Sequence, residues 1–519
     1  MQTSQTSQNV SLAADFSYKT AVFLFWSVVI FFAALWVILP SLFYSAYRIS
    51  DVIELQCIAR EWVLSTRKHP MLPAWILELV NILTNRTYAA PYIAAQICMI
   101  ITLWSVWQLG RQVLSEKLAL IGSFAILPYY FLTYHSLVYN QNTTLIAFWS
   151  LSVYLVFRAL QTNRIWYWFI SGVSIGLAFY AKYPAAFLVL SLLIFMFTQQ
   201  EGRQRWREIG PYLTMITALL IFLPHIIWLY QYDFATITYA QSRHTYTNQI
   251  FRILSPTIFI IFQLEHWITI FVVLFPSLGF LWRWRFRSIE NDKERFCERY
   301  LFYCFMIPCA ICVCIGAIKN YWLSPSYGAP FWTFLGVWLL LRFRVKMHPN
   351  IFVMTLKYVA LLEVVMCMIL VVSALSPHVT GKQKKQFLPM RELGAECDRI
   401  WYSQFDVPCP YVTGDWFIAG FASYAMKDRP RVHFYWNIHD GDIHNPNSLP
   451  TGTWSTDSDV NNHGGIVVWQ ITNTDENYAP KYLHTRFPKA NIIPNPIILP
   501  YKTSAKVPPL KVGVAVIPP

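Results

Sequence analysis

The chain has 519 residues, of which 55% are hydrophobic and only 13% are charged. Soluble domains carry about 25% charged residues, so this composition excludes an ordinary soluble protein and predicts a membrane protein with several spans. The net charge is +14. The basic excess lies among the apolar segments before residue 378, where cytoplasmic anchoring loops would place it. We therefore interpret the charge as a topology signal and expect no nucleic-acid partner.

Eleven apolar segments approach the length of about 20 residues that crosses a bilayer core. The connectors rich in Lys and Arg alternate with connectors that contain few. The positive-inside rule then predicts a cytoplasmic N-terminus. It also places the first outer loop, residues 41–87, and the region 378–519 on the outer side. The predicted spans are residues 20–40, 88–109, 118–135, 143–159, 166–181, 184–199, 211–230, 256–281, 300–318, 323–341 and 351–375.

The first outer loop concentrates polar residues in the stretch SDVIELQCIAREWVLSTRKHPMLPAWIL. Asp51 and Glu54 are three residues apart, so both carboxylates lie on one side of a helix. The extended chain before Pro70 brings Lys68 and His69 back towards the membrane. Paired carboxylates near cations suit general-base or metal-assisted transfer chemistry. The alternative is an amphipathic helix in the interface whose charges are only solvated.

Further polar residues stand at the outer ends of the spans. A lysine between two apolar runs, such as Lys182, is costly unless it snorkels or meets an anion, so both alternatives stay open. Histidines of this set could join Asp51 or Glu54 around a divalent cation, although no pair has HxxxH spacing. The set consists of His135, Tyr139, Asn140, Lys182, Tyr183, Arg243, His244 and Lys319.

Residues 378–519 contain no further span. The runs CPYVTG, RVHFYW and GIVVWQ predict short buried strands, and residues 416–426 predict a helix between the first two. Strands that alternate with helices favour a small α/β domain. Cys397 and Cys409 are the cysteine pair of this region. Outside the cytoplasm they are a candidate disulfide.

Several of these stretches resemble glycosyltransferase family 39. The family's bacterial members are polyprenol-phosphate-sugar-dependent transferases, and they include the lipid A aminoarabinose and galacturonic acid transferases. The resemblance lies in DVIELQ, EW and KHPMLPAWILEL of the first outer loop, in LVYNQNTTLIAFWSLSVYLVFRAL, GLAFYAKYPAAFLVL and KNYWLSP, and in GDWFIAGFASYAMKDRPRV with GIVVWQ. It implies a GT-C fold of about 11 transmembrane helices, residues 1–377, in the bacterial inner membrane. It also implies a periplasmic α/β domain, residues 378–519.

The resemblance implies an inverting enzyme. It would transfer a hexosyl or pentosyl group from a polyprenyl-phosphate-linked donor to lipid A, lipopolysaccharide or another envelope glycan. Asp51 matches the first acid of the family's Asp-Glu pair, but Val52 follows it and the second acid comes at Glu54. The family's Pro-Pro is Pro70-Met71 here.

We assign Asp51 and Glu54 to catalysis on this basis. The alternative function is a transporter or flippase for a lipid-linked sugar, which needs polar residues near the bilayer midplane. Most polar residues of this chain stand instead at the outer span ends. The remaining candidates are Lys182, Tyr183, Lys68, Arg67 and Lys319 for the donor phosphate, His69, Tyr139, Asn140 and Arg243 for substrate, and Glu54, His69, His135 and His244 for a metal.

Overall fold

The computed structural model of the protein describes residues 15–48, 50–244, 250–279, 286–319, 321–343, 345, 348–433, 455–471, 483–501 and 506–519. Helices dominate up to residue 380, and a small sheet forms in the C-terminal region. The helices of the first part are α1 (Tyr18–Phe43), α2 (Ser50–Ala59), α3 (Leu72–Leu83), α4 (Ala90–Gly110), α5 (Glu116–Phe124), α6 (Gln141–Thr162), α7 (Ile165–Ala181), α8 (Ala185–Thr198), α9 (Gln200–Arg205), α10 (Ile209–Gln231), α11 (Ala235–His244), α12 (Phe251–Leu278), α13 (Asp292–Lys319), α14 (Leu335–Arg342) and α15 (Ile351–Thr380).

Each of the eleven predicted spans contains a helix. Within the described part of the chain, seven helices are long and apolar enough to cross a bilayer, namely α1, α4, α6, α10, α12, α13 and α15. Helices α7 and α8 are apolar but shorter. The predicted multi-span helical architecture is confirmed, with two of the eleven segments built differently from expectation.

The predicted spans 118–135 and 323–341 are not continuous helices. Helix α5 ends before Pro128, and α14 begins only after Pro330. Proline has no N–H to donate and its ring clashes with the preceding turn, so it favours a break. The irregular stretches that result contact each other, because the Tyr129 hydroxyl donates to the Ala329 carbonyl oxygen at 2.9 Å. Non-helical backbone at membrane depth is tolerated where it is buried in protein, as Tyr129 and Ala329 are here.

The C-terminal region forms a mixed six-stranded sheet with helices, as predicted. The strand order is β2-β1-β3-β6-β4, with β5 also paired to β6. Strand β1 is parallel to β2 and β3, whereas β6 is antiparallel to β3. The elements are α16 (Met390–Tyr402), β1 (Tyr411–Gly414), α17 (Trp416–Ala425), β2 (Arg431–His433), α18 (Asp457–His463), β3 (Gly465–Gln470), α19 (Leu483–Arg486), β4 (Asn491–Ile492), β5 (Ile497–Leu499) and β6 (Leu510–Ile517).

One apolar core joins the C-terminal region to the first outer loop. Val52 and Ile53 of α2 belong to the same buried cluster as Phe421 of α17 and Val468 of β3. Helix α17 approaches α2 closely at Gly420, where a Cβ atom would lie 3.0 Å from the Ile53 side chain. The domain that the sequence predicts at 378–519 therefore packs directly on the helix that carries Asp51.

A buried ion pair reinforces this junction. The Arg429 guanidinium donates to both Glu78 carboxylate oxygens at 2.8 Å and to the Gln56 carbonyl oxygen at 2.9 Å. The Arg429 and Glu78 side chains are only 8% and 9% exposed. Because Gln56 lies in α2 and Glu78 in α3, one arginine of the C-terminal region connects both helices of the first outer loop.

The predicted disulfide between Cys397 and Cys409 is wrong. Both residues are free, buried thiols. The Cys409 sulfur lies 3.4 Å from the Tyr411 carbonyl oxygen, and both side chains contribute to the shared apolar core. These thiols therefore pack as small apolar groups, which is a common role of buried free cysteine.

Candidate active site

A polar cavity of about 210 Å³ lies beside the first turn of α2. Asp51 stands in that turn and is partly exposed. The structure brings Asp51, Glu54, Lys68 and His69 around this cavity from two separate parts of the first outer loop. The lining residues are Asp51, Glu54, Leu55, Ile58, Thr66, Lys68, His69, Met71, Gln141 and Tyr239.

The two acids of α2 have different environments. The Lys68 ammonium donates to both Glu54 carboxylate oxygens, at 2.8 and 2.9 Å. Burial raises the pKa of Glu54, although Lys68 opposes this shift. Burial acts to lower the pKa of Lys68, but the Glu54 carboxylate outweighs it and the pKa is raised. Asp51 forms no ion pair with any basic group that the structure describes. Of the two acids of α2, Asp51 is thus the one without a described cationic partner.

Lys182 follows the last turn of α7 and is a second feature of the site. Its Nζ donates to Asn142 Oδ1 at 2.7 Å and lies 5.0 Å from the centre of the Tyr327 ring. Burial lowers the pKa of Lys182 to about 8, and the negative charge of Asp51 opposes the shift. Within the described ranges, no carboxylate lies at ion-pair distance from Lys182. It is therefore a partly desolvated cation within electrostatic range of Asp51.

Tyr183 extends this cationic region. Its hydroxyl forms a 2.8 Å hydrogen bond with His225 Nε2 on α10. Burial raises the pKa of Tyr183 to about 12, so the hydroxyl keeps its proton at neutral pH. The Arg67 guanidinium lies 5.9 Å from the centre of the ring of Tyr239, which lines the cavity. Lys182, Tyr183 and Arg67 are not themselves lining residues of the cavity beside Asp51.

Two predicted substrate residues have structural partners instead. Tyr139 is fully buried, and its hydroxyl donates to the Pro73 carbonyl oxygen at 3.0 Å. Asn140 is the N-cap of α6, where its side-chain oxygen accepts from the Asn142 backbone N–H at 2.9 Å. Neither residue lines the cavity beside Asp51. Tyr139 connects the start of α6 to α3, and Asn140 caps the N-terminus of α6, a role that asparagine often has.

The remaining candidates are dispersed. Lys319 is exposed at the last turn of α13 and is not a lining residue. Arg243 and His244 belong to α11, but their side chains lie outside the described part of the structure. The sequence alone did not single out Tyr239 and Gln141, which do line the cavity. Gln141 had one signal, its place in the polar run YNQN; Tyr239 had none.

The geometry does not support the predicted divalent metal site. Glu54 and His69 share the cavity, but Glu54 is held by Lys68, and His135 is not among the lining residues. No group of three or more His, Cys, Asp or Glu side chains is placed to hold a metal among the residues described. Zinc sites have three or four protein ligands. We therefore assign no step to a metal.

Comparisons with known proteins find similarity in one segment of the sequence and in the fold. A family profile described as dolichyl-phosphate-mannose-protein mannosyltransferase matches residues 68–228. The lipopolysaccharide core galacturonosyltransferase RgtA of Rhizobium johnstonii is 28% identical over 160 residues, which are 30% of this chain. The aligned part spans only 32% of that relative's length.

The fold of the whole chain is similar to that of ArnT from Cupriavidus metallidurans. The structure of ArnT bound to undecaprenyl phosphate matches with a TM-score of 0.57 and 12% identity, over 96% of this chain and 98% of ArnT. The apo structure of ArnT gives a TM-score of 0.55 and 13% identity, over 95% and 97% of the two chains. The segment 68–228 thus resembles this profile family, and the chain as a whole shares the fold of ArnT.

Proposed function

We propose that the protein transfers a sugar, with inversion, from a polyprenyl-phosphate-linked donor to lipid A, lipopolysaccharide or another envelope glycan. One observation carries this proposal. The Asp51 carboxylate lines a cavity, has no described ion-pair partner and lies within electrostatic range of Lys182, a cation that has no described acidic partner. Two relatives support the substrate class. One acts on the lipopolysaccharide core, and the other binds undecaprenyl phosphate. The transporter alternative is not favoured.

Asp51 is the proposed general base. The acceptor hydroxyl has a high pKa, so a fixed carboxylate must take its proton while the oxygen attacks the anomeric carbon. An inverting displacement needs one such base and no covalent enzyme intermediate. Asp51 meets this requirement because Glu54 is occupied by Lys68. In this mechanism Glu54 orients Lys68 and closes one side of the cavity.

Lys182 is the proposed support for the leaving group. The bond to the anomeric carbon breaks towards the polyprenyl phosphate, whose negative charge grows in the transition state. A cation fixed beside that phosphate stabilises the transition state more than the ground state. The hydrogen bond to Asn142 fixes the Lys182 ammonium in advance.

The donor sugar is proposed to be a hexose, with an acidic hexose as the leading candidate. The support is the similarity of the segment to a galacturonosyltransferase. The site is proposed to open to the periplasm, with the N-terminus in the cytoplasm. Reporter fusions after Arg207 and after Val379 check this topology. We expect a cytoplasmic signal at the first position and a periplasmic signal at the second, and either opposite result contradicts it.

The central experiment measures sugar transfer by purified variants in detergent and donor binding separately. Asp51→Asn keeps the size of the side chain but cannot accept a proton. We expect turnover to fall by about 10²–10⁴-fold, the usual contribution of a general base, while donor binding survives. Glu54→Gln is the matched control, for which we expect a smaller loss. Near-normal turnover by Asp51→Asn would refute the assignment of the base.

A further inference from the structure

Arg48 is a cation beside the site that the proposed mechanism does not use. It stands three residues before Asp51, in the connection between α1 and α2. Its guanidinium carbon lies 4.0 Å from the centre of the Tyr134 ring. No carboxylate of the described chain lies at ion-pair distance from it. In the same loop, by contrast, Arg60 is paired with Glu61.

The surroundings of Arg48 are aromatic and only partly exposed. Tyr130 lies 6.2 Å from Tyr134 between ring centres and 5.5 Å from the His135 ring, and the positive charge of Arg48 acts on it. Arg48 itself is half-buried. A partly desolvated guanidinium without a counter-charge is unfavourable unless an anion completes its surroundings. Arg48 thus has the features of a residue whose anionic partner arrives with a ligand.

His135 connects this arginine to the cationic side of the cavity. Its Nδ1 is buried and has no hydrogen-bond partner among the described residues. The positive charges of Arg48 and Lys182 both act on the His135 ring. An imidazole with an unsatisfied nitrogen thus lies within electrostatic range of both cations.

We propose that Arg48 binds an anionic oxygen group of the glycosyl donor, stacked on Tyr134. A stacked guanidinium keeps its in-plane N–H donors for an oxyanion, and its planar fork fits carboxylate and phosphate equally well. The anion is either the donor phosphate or the carboxylate of a uronosyl donor. The inference rests on the proposed function, because it takes a lipid-linked sugar as the ligand.

The test measures binding of three probes to Arg48→Gln and Arg48→Lys in detergent. The probes are polyprenyl phosphate alone, polyprenyl-phosphate galactose and polyprenyl-phosphate galacturonic acid. Loss of a hydrogen bond to a charged group should weaken binding by about 10- to 100-fold in Arg48→Gln. We expect Arg48→Lys to recover part of this loss. Equal weakening of all three probes identifies the phosphate, whereas weakening of the galacturonosyl probe alone identifies the carboxylate.

Arg60→Gln is the matched control, since it removes one positive charge from the same loop at a residue that has an acidic partner. We expect it to bind all probes as the wild type does. The inference would be overturned if Arg48→Gln bound every probe with the affinity of the wild type. It would also be overturned if Arg60→Gln lost as much affinity as Arg48→Gln. Wild-type protein that binds none of the probes would instead overturn the proposed function and this inference with it. Thermal unfolding of each variant confirms that it is folded.

Discussion

Lys182 should determine the alkaline side of the pH–rate profile. Burial lowers its pKa to about 8, well below the ordinary value for lysine. The ammonium is present below that pH and is lost above it, so support for the leaving phosphate disappears as pH rises. At one pH unit above the pKa, about one molecule in eleven keeps the proton. We therefore expect kcat/KM to fall by about tenfold for each pH unit above 8, since kcat/KM reports the free enzyme.

Lys182→Arg is the informative substitution, because a guanidinium stays charged at every accessible pH. We expect the alkaline limb near pH 8 to vanish in this variant. Its plateau should be lower than that of the wild type, because a longer fork cannot reproduce the 2.7 Å contact with Asn142. Lys182→Met removes the charge without adding bulk. It should lose about 10²–10³-fold in kcat/KM at pH 7, by analogy with other electrostatic stabilisers.

The assay is the initial rate of sugar transfer at low donor concentration in detergent, from pH 6 to pH 10. Bound phosphate favours the ammonium, so the limb in kcat should lie at higher pH than the limb in kcat/KM. Thermal unfolding at each pH separates loss of activity from loss of fold. A limb near pH 8 that persists in Lys182→Arg, or a wild-type profile that is flat to pH 10, would refute the assignment of this group.

Three further predictions concern the junction and the C-terminal region. Arg429→Ala leaves the buried Glu78 carboxylate without its cationic partner and should lower the free energy of unfolding by about 3–5 kcal/mol. Replacing both Arg429 and Glu78 with apolar residues should lower it by less. Denaturant titrations measure both free energies. Cys397 and Cys409 should resist alkylation in the folded protein and react as two free thiols after unfolding; protection of both under non-reducing, denaturing conditions would show a bond between them. Gly414→Ala should lower the Tm, because φ is +118° at this position and a Cβ atom would lie 2.0 Å from a carbonyl oxygen of β3. An unchanged Tm would contradict this expectation of strain.

Local patterns in the sequence predict much of this fold. Strands β1, β2 and β3 and helix α17 follow from short apolar runs separated by turn residues, whereas β4, β5 and β6 were not predicted. Lys182 is identified because a charge between apolar runs is costly and so is informative. Asp51 is identified from its spacing to Glu54 and from the resemblance to the family's Asp-Glu pair. The roles of Tyr139 and Asn140 were not predictable, since their hydrogen-bond partners come from the three-dimensional packing and not from spacing. The same holds for Arg48, because only the structure shows that no described carboxylate pairs with it.

The core shared by the first outer loop and the C-terminal region has a consequence for synthesis of the protein. The helix that carries Asp51 is among the first parts of the chain to be made, but Phe421 and Val468, which pack in the same core, are among the last. Its final packing must therefore wait until nearly the whole chain has left the ribosome. A chain that ends after Gly381 would contain every predicted span but would lack the C-terminal side of the core that packs against the helix of Asp51. Premature termination in the C-terminal region should thus yield an inserted but inactive protein.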